Sequence, residues 1–191
     1  MEISLIILIS YLLGSIPFGF LLTKIILKKD IRKIGSGNIG ATNVLRTGNK
    51  IIGYSTLILD ILKAVIPILF IKIQFPEFIF ISSLAVFLGH VFPIWLKFNG
   101  GKGVATYVGI LFCINYILGF FFIATWLVVF FISKYSSLSS LLASFIIPIY
   151  YFFIDTENYY FFIIMFILIF YTHRENIKRL KNNTESKTKI Y

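Results

Sequence analysis

The sequence predicts an all-α integral membrane protein of seven transmembrane helices, one pair of them short. Three observations predict it. Of its 191 residues, 58% are hydrophobic and only 14% are charged, with a mean hydropathy of +0.90. A soluble domain is nearer half apolar and a quarter charged, so the surplus has to face lipid. The apolar residues come in long Phe, Ile and Leu runs without period-2 alternation, which argues against barrel strands. The basic residues gather between and after these runs, as the positive-inside rule requires of cytoplasmic segments.

The spans follow in order. The first apolar stretch, 3–27, follows Met1-Glu2 with no basic leader and no small-residue cleavage site, so a retained helix is expected. Further helices are expected over 51–73, 78–96, 104–133, 138–154 and 159–172. Lys28, Lys29, Arg32, Lys33, Arg46 and Lys50 put the loop after the first span inside. Gln74-Phe75-Pro76-Glu77 is then outside and 97–103 inside. The tail carries Arg174, Lys178, Arg179, Lys181, Lys187 and Lys189 and is also inside. Counting back from it puts 155–158 outside and 134–140 inside. Both ends of 104–133 therefore lie on one side, and this stretch crosses an even number of times. Its 30 residues span about 45 Å as one helix, at 1.5 Å per residue. Two full crossings would need about 60 Å. A tight hairpin of two short helices, turning near Asn115 or Gly119, is the expected solution. The N-terminus is then outside and the C-terminus cytoplasmic. One domain, 1–180, is expected, followed by a flexible basic polar tail, 181–191.

The net charge of +10 would suggest nucleic acid in a soluble protein. Between apolar spans it reports topology and attraction to anionic lipid headgroups instead. Cys113 is the only cysteine, so no intrachain disulfide is possible.

Four polar segments fall on the expected cytoplasmic side. The first, Gly35 to Asn43 followed by Arg46, combines Gly35, Gly37 and Gly40 with Ser36, Asn38, Thr42 and Asn43. Glycines let backbone N–H groups approach an anion, and a guanidinium pairs with phosphate through two parallel bonds. The plainer reading is a flexible loop. The second runs from Gly89-His90-Val91-Phe92-Pro93 to Gly100-Gly101-Lys102-Gly103-Val104-Ala105-Thr106. Here a glycine-rich turn opens a helix, whose N-terminus attracts anions, and Lys102 adds a full charge. The Walker A spacing is absent. His90 reads equally as a capping or interfacial histidine. The third, Ser136-Ser137-Leu138-Ser139-Ser140, reads first as helix caps. The fourth, His173-Arg174-Glu175-Asn176-Ile177, reads first as a snorkelling boundary. Asp60 and Lys63 lie inside a span three residues apart, where side chains meet, and an orienting ion pair is expected. No carboxylate cluster or closely spaced His/Cys set suggests a metal. Without one, transfer from an already activated donor is the easier chemistry.

In this order and spacing the segments resemble the PlsY family, bacterial acyl-phosphate:glycerol-3-phosphate acyltransferases. The resemblance rests on Ser36 to Asn43, Gly89 to Pro93, and Gly100 to Thr106. Gly14-Ser15-Ile16-Pro17-Phe18-Gly19, Asp60 with Lys63, Ser137 to Ser140 and His173 to Ile177 also match. It covers nearly the whole chain but says nothing beyond Leu180. It implies the same seven-helix, N-out topology in the bacterial inner membrane, with the active site facing the cytoplasm. It implies acyl transfer from a fatty acyl phosphate to the sn-1 hydroxyl of glycerol 3-phosphate, the first step of phospholipid synthesis. The products would be 1-acyl-glycerol 3-phosphate (lysophosphatidic acid) and phosphate, with no cofactor. Membrane lipids would be its surroundings, and nucleic acid no partner. Lys102 with Gly100, Gly101 and Gly103 would hold the donor phosphate. Ser36, Gly37, Asn38, Gly40, Thr42, Asn43, Arg46 and Thr106 would line the polar pocket. His90, Ser137, Ser140, His173 and Asn176 would complete it. The proton acceptor is either His90 or a substrate phosphate oxygen. The His-x-x-x-x-Asp acyltransferase pattern is missing: Trp95 stands five residues after His90, and Lys178 five after His173.

Overall fold

The computed structural model describes residues 2–155 and 157–188, with side-chain surroundings given from Ile3 onward. Among the described residues the regular structure is all helical, with no strand. They form two compact units, Met1–Ile114 and Asn115–Tyr191.

The first unit contains α1 (Glu2–Gly14), α2 (Phe18–Ile26), α3 (Ala41–Leu45), α4 (Lys50–Gln74), α5 (Ile79–Val91) and α6 (Val104–Ile114). The first apolar stretch is not one continuous helix. It breaks at Ser15-Ile16-Pro17, because Pro17 has no N–H to continue the ladder. The break leaves the Ile16 carbonyl outside the helical pattern, and Lys63 Nζ of α4 donates to it at 2.8 Å. Irregular backbone at membrane depth needs such a partner.

Close approach holds this unit together. Gly14 of α1 lies against the Val86 backbone of α5, and Gly89 of α5 against the Tyr11 carbonyl of α1. Beside them Ser10 Oγ and Ser82 Oγ share a 2.9 Å hydrogen bond. Small residues of this kind let membrane helices pack backbone to backbone. Gly109 of α6 faces the Ile61 carbonyl of α4 in the same way. Lys72 Nζ donates at 2.6 Å to the Cys113 carbonyl at the end of α6, where free carbonyls and the helix dipole favour a cation.

The second unit contains α7 (Tyr116–Ser133), α8 (Ser136–Phe152), α9 (Tyr159–Thr172) and α10 (Arg174–Lys181). The 104–133 stretch is thus divided at Asn115, whose side chain accepts from Ile117 N and caps α7. α6, with 11 residues, is about 16 Å long, too short for a ~30 Å core. Among the described residues, Ile3–Ile26, Pro76–Leu96 and Tyr116–Ser133 are long and apolar enough to cross a bilayer; Val104–Ile114, Ser136–Phe152 and Tyr159–Thr172 are apolar but shorter. Ile51, Ile66, Ile73, Phe131, Ile132 and Phe153 are among the large apolar side chains left exposed, which suits a lipid surround. The tail assigned to 181–191 is described through Thr188, and the rest of it lies outside the described residues.

Candidate functional site

Two polar clusters stand out, one in each unit. In the first unit, Asp60 and Lys63 of α4 form an ion pair at 2.9 Å, with side chains only 3% and 2% exposed. Their three-residue spacing brings them together on one helix face. His90, near the end of α5, is also buried, and its Nδ1 lies 3.8 Å from Asp60 Oδ1, beyond hydrogen-bond reach. Thr106 Oγ1, on the first turn of α6, donates to the Asp60 carbonyl at 3.3 Å. Intramembrane charges persist when paired in this way.

The Gly100–Gly103 turn is built onto this cluster. Gly100 N donates to the Val91 carbonyl at 3.0 Å and Gly101 N to the His90 carbonyl at 3.1 Å. Two of the amides expected to hold phosphate are therefore engaged within the protein. The His90 imidazole packs against Gly101, where a Cβ would collide with Nε2, and Gly103 takes φ +87° against the Phe87 ring. Both glycines are fitted by space, and Gly103 by conformation as well. The turn leads directly into α6, with Lys102 half-buried beside it.

The first glycine-rich loop is likewise tied to itself. Buried Asn43 donates from Nδ2 to the carbonyls of Asn38 at 2.8 Å, Ile34 at 2.9 Å and Ile31 at 3.3 Å, and Oδ1 accepts from Ser36 N at 2.9 Å. Asn38 Oδ1 accepts from Gly40 N at 2.9 Å, and Gly37 N donates to the Ile34 carbonyl. The two amides give the loop its shape. Gly35, at φ +56°, makes room for the Asn43 and Arg46 side chains. Ile31, Ile39, Val44, Ile52 and Leu96 form the apolar floor beneath. At the rim, Asp30 and Arg32 pair through two bonds of 2.9 and 2.7 Å, and this pairing pushes the Asp30 carboxyl down to about 2.

In the second unit the serines do not act as side-chain caps of α8, whose N-cap is Tyr135. Ser139 Oγ and Ser140 Oγ donate back to the carbonyls of Tyr135 and Ser136. Ser140 Oγ also accepts from Trp126 Nε1 of α7 at 3.0 Å, joining two helices. Ser137 differs: its Oγ donates to Glu185 Oε1 at 2.7 Å. Asn176 Nδ2 donates to the same oxygen at 2.7 Å, and Arg179 Nε to Glu185 Oε2 at 2.7 Å. Burial alone would raise the Glu185 carboxyl, but the bonds from Ser137, Arg179 and Asn176 and the Arg179 charge outweigh it and hold it below its usual range. His173, buried at the joint of α9 and α10, places Nδ1 2.8 Å from the Ile169 carbonyl. That contact assigns the Nδ1–H tautomer.

Glu185 escaped the sequence reading, and Arg179 entered it only as one of the basic tail residues. Arg179 follows Asn176 at helical spacing on α10, a signal available once that segment is read as a helix. Glu185 carries no local signal.

The family model described as Glycerol-3-phosphate acyltransferase matches residues 4–183, so the chain belongs to that family of acyltransferase enzymes. It is 70% identical over 191 residues to the glycerol-3-phosphate acyltransferase of Pelagibacter ubique (strain HTCC1062), covering 100% of both chains. It is 51% identical over 190 residues to that of Bartonella henselae (strain ATCC 49882 / DSM 28221 / CCUG 30454 / Houston 1), covering 96% of this chain and 90% of the relative. Its fold matches crystal structures of PlsY (YgiH), an integral membrane glycerol 3-phosphate acyltransferase. The glycerol 3-phosphate form superposes with a TM-score of 0.89 at 36% identity, covering 98% of this chain and 96% of that one. The lysophosphatidic acid form gives 0.87 over 98% and 95%, also at 36% identity. The PlsY resemblance is thus established, and this chain is a glycerol-3-phosphate acyltransferase.

Proposed function

We propose that the enzyme transfers a fatty acyl group from acyl phosphate to the sn-1 hydroxyl of glycerol 3-phosphate. The observation that carries this reading is the pair of PlsY neighbours, one named for glycerol 3-phosphate and one for lysophosphatidic acid. They supply an acceptor and a product for this chain by similarity. An acyl phosphate donor suits a site built from hydroxyls, amides and cations, because phosphate leaves without needing strong base assistance.

The sn-1 oxygen attacks the carbonyl carbon. The new carbon–oxygen ester bond forms, and the bond from that carbon to the bridging phosphate oxygen breaks. Phosphate departs with both bonding electrons, and the hydroxyl proton passes to a base. Lys102, with the backbone opening α6, stabilises the departing phosphate. Ser36, Thr42 and Arg46 hold polar parts of the substrates, on a loop shaped by Asn38 and Asn43. Ser137, His173 and Asn176 contribute further polar contacts, and Ser140 ties α8 to α7 through Trp126.

A substrate phosphate oxygen takes the proton. This choice is supported by the packing of the His90 ring against Gly101, its burial, and its lack of a hydrogen bond at Nδ1. His90 then acts as the wall on which the Gly100–Gly103 turn is built, with the Asp60–Lys63 pair behind it. The chain crosses the bacterial inner membrane seven times, with its N-terminus outside and its site on the cytoplasmic face.

The test is a donor comparison. Purified protein receives glycerol 3-phosphate with either palmitoyl phosphate or palmitoyl-CoA. Equal amounts of phosphate and lysophosphatidic acid from palmitoyl phosphate alone are expected. Product from palmitoyl-CoA alone would overturn the reading. His90→Ala should keep measurable turnover, and complete loss in folded protein would make His90 the base.

A further inference from the structure

The chain carries its own anion in a seat that suits a phosphate. Ser137 Oγ, Asn176 Nδ2 and Arg179 Nε converge from α8 and α10 on the two oxygens of Glu185, each at 2.7 Å. The Glu185 side chain is 7% exposed there, although it belongs to a polar segment without regular structure after Lys181. Two oxygens facing a hydroxyl, an amide and a guanidinium are what charge-assisted recognition of a phosphate also requires.

The seat is not fully satisfied by its present occupant. Asn176 Oδ1 is buried and has no hydrogen-bond partner. Its Nδ2 is committed to the carboxylate, so Oδ1 is the atom left over, and it needs a donor. An ionised carboxylate only accepts and has no proton to offer it. A phosphate monoester carrying a free hydroxyl supplies both: acceptor oxygens for Ser137, Asn176 Nδ2 and Arg179, and a hydroxyl donor for Asn176 Oδ1. The segment bearing Glu185 is also held by Thr184 N, which donates to the Arg179 carbonyl, and by Thr188 N, which donates to the Lys134 carbonyl.

We propose that Glu185 is an intramolecular competitor, a tail carboxylate that occupies the Ser137–Asn176–Arg179 seat and is displaced by a hydroxylated phosphate monoester. The class of ligand rests on the acyltransferase reading above; the displacement itself does not. Occupancy by the tail lowers apparent affinity in proportion to the fraction of molecules with an empty seat.

Two measurements test this. In the first, Lys187→Cys in a Cys113→Ser background carries a spin label. Glycerol 3-phosphate, and inorganic phosphate as a second probe, should mobilise the label with a saturable dependence, and glycerol should not. A spectrum unchanged by either anion would overturn the proposal. In the second, Glu185→Gln and Glu185→Ala are compared with the parent enzyme. The KM for one phosphate-bearing substrate should fall about three- to tenfold without loss of kcat. An unchanged or raised KM, or a kcat reduced in both variants, would make Glu185 a structural staple instead. If the parent enzyme proves inactive with acyl phosphate, the donor assignment fails, while the label still reports whether phosphate displaces the tail.

Discussion

The two polar clusters solve the same electrostatic problem with different materials. In the first unit, buried charge is matched by charge three residues away on one helix, Asp60 against Lys63, and locked by the Ile16 carbonyl and Thr106. In the second, the cation of Arg179 is matched by Glu185, which sits on irregular chain beyond the last helix. The first arrangement can change only by disturbing packed helices. The second changes by releasing a short tail. A permanent pair suits a scaffold that holds the turn proposed to bind phosphate, and a detachable one suits the seat proposed to empty.

The largest effect is expected at the turn itself. Lys102→Ala should cut kcat about 100-fold or more while thermal unfolding stays unchanged. Unchanged turnover would remove Lys102 from the reaction. Breaking the permanent pair comes next, and on stability. Asp60→Ala or Lys63→Met alone should cost about 3–5 kcal/mol, and the double variant Asp60→Leu with Lys63→Met should recover much of it. Equal losses in the single and double variants would mean that the charges do not act as a pair. Gly101→Ala drives a methyl into the His90 ring and should cost about 1–3 kcal/mol. Adding His90→Ala should relieve that cost; independent, additive losses would separate the ring from the turn.

The smallest effect is the acid response of the detachable pair. The Glu185 carboxyl is held below its unfolded value of about 4.3, so its contribution is complete above that value. It is lost as pH falls through the lower, folded value. A spin label at position 187 should therefore stay immobile from about pH 7 to about pH 5 and loosen only below about pH 4. Release between about pH 5 and about pH 6 would contradict the hydrogen-bonded carboxylate.

Much of this was legible from hydropathy and spacing. The division of 104–133 follows from charge on its flanks, and the structure puts the break at Asn115, one of two positions expected. The Asp60–Lys63 pair follows from helical spacing. The break at Ser15-Ile16-Pro17 was hidden because apolar residues continue on both sides of Pro17, and the Lys63 bond that stabilises it is distant in sequence. The glycine loops were read as open nests of N–H groups. Which amides are engaged depends on tertiary partners, Asn43 for one loop and the end of α5 for the other. Glu185 was invisible because its three partners meet only in the fold, and a lone acidic residue in a polar tail has no pattern.

The most direct measurement follows one oxygen atom. Palmitoyl phosphate labelled with oxygen-18 at the bridging position is turned over with glycerol 3-phosphate, and the products are analysed by mass spectrometry. Attack at the carbonyl carbon sends the label into inorganic phosphate and leaves lysophosphatidic acid unlabelled. Label retained in the fatty acyl product, with phosphate unlabelled, would place the attack at phosphorus and contradict acyl transfer from acyl phosphate.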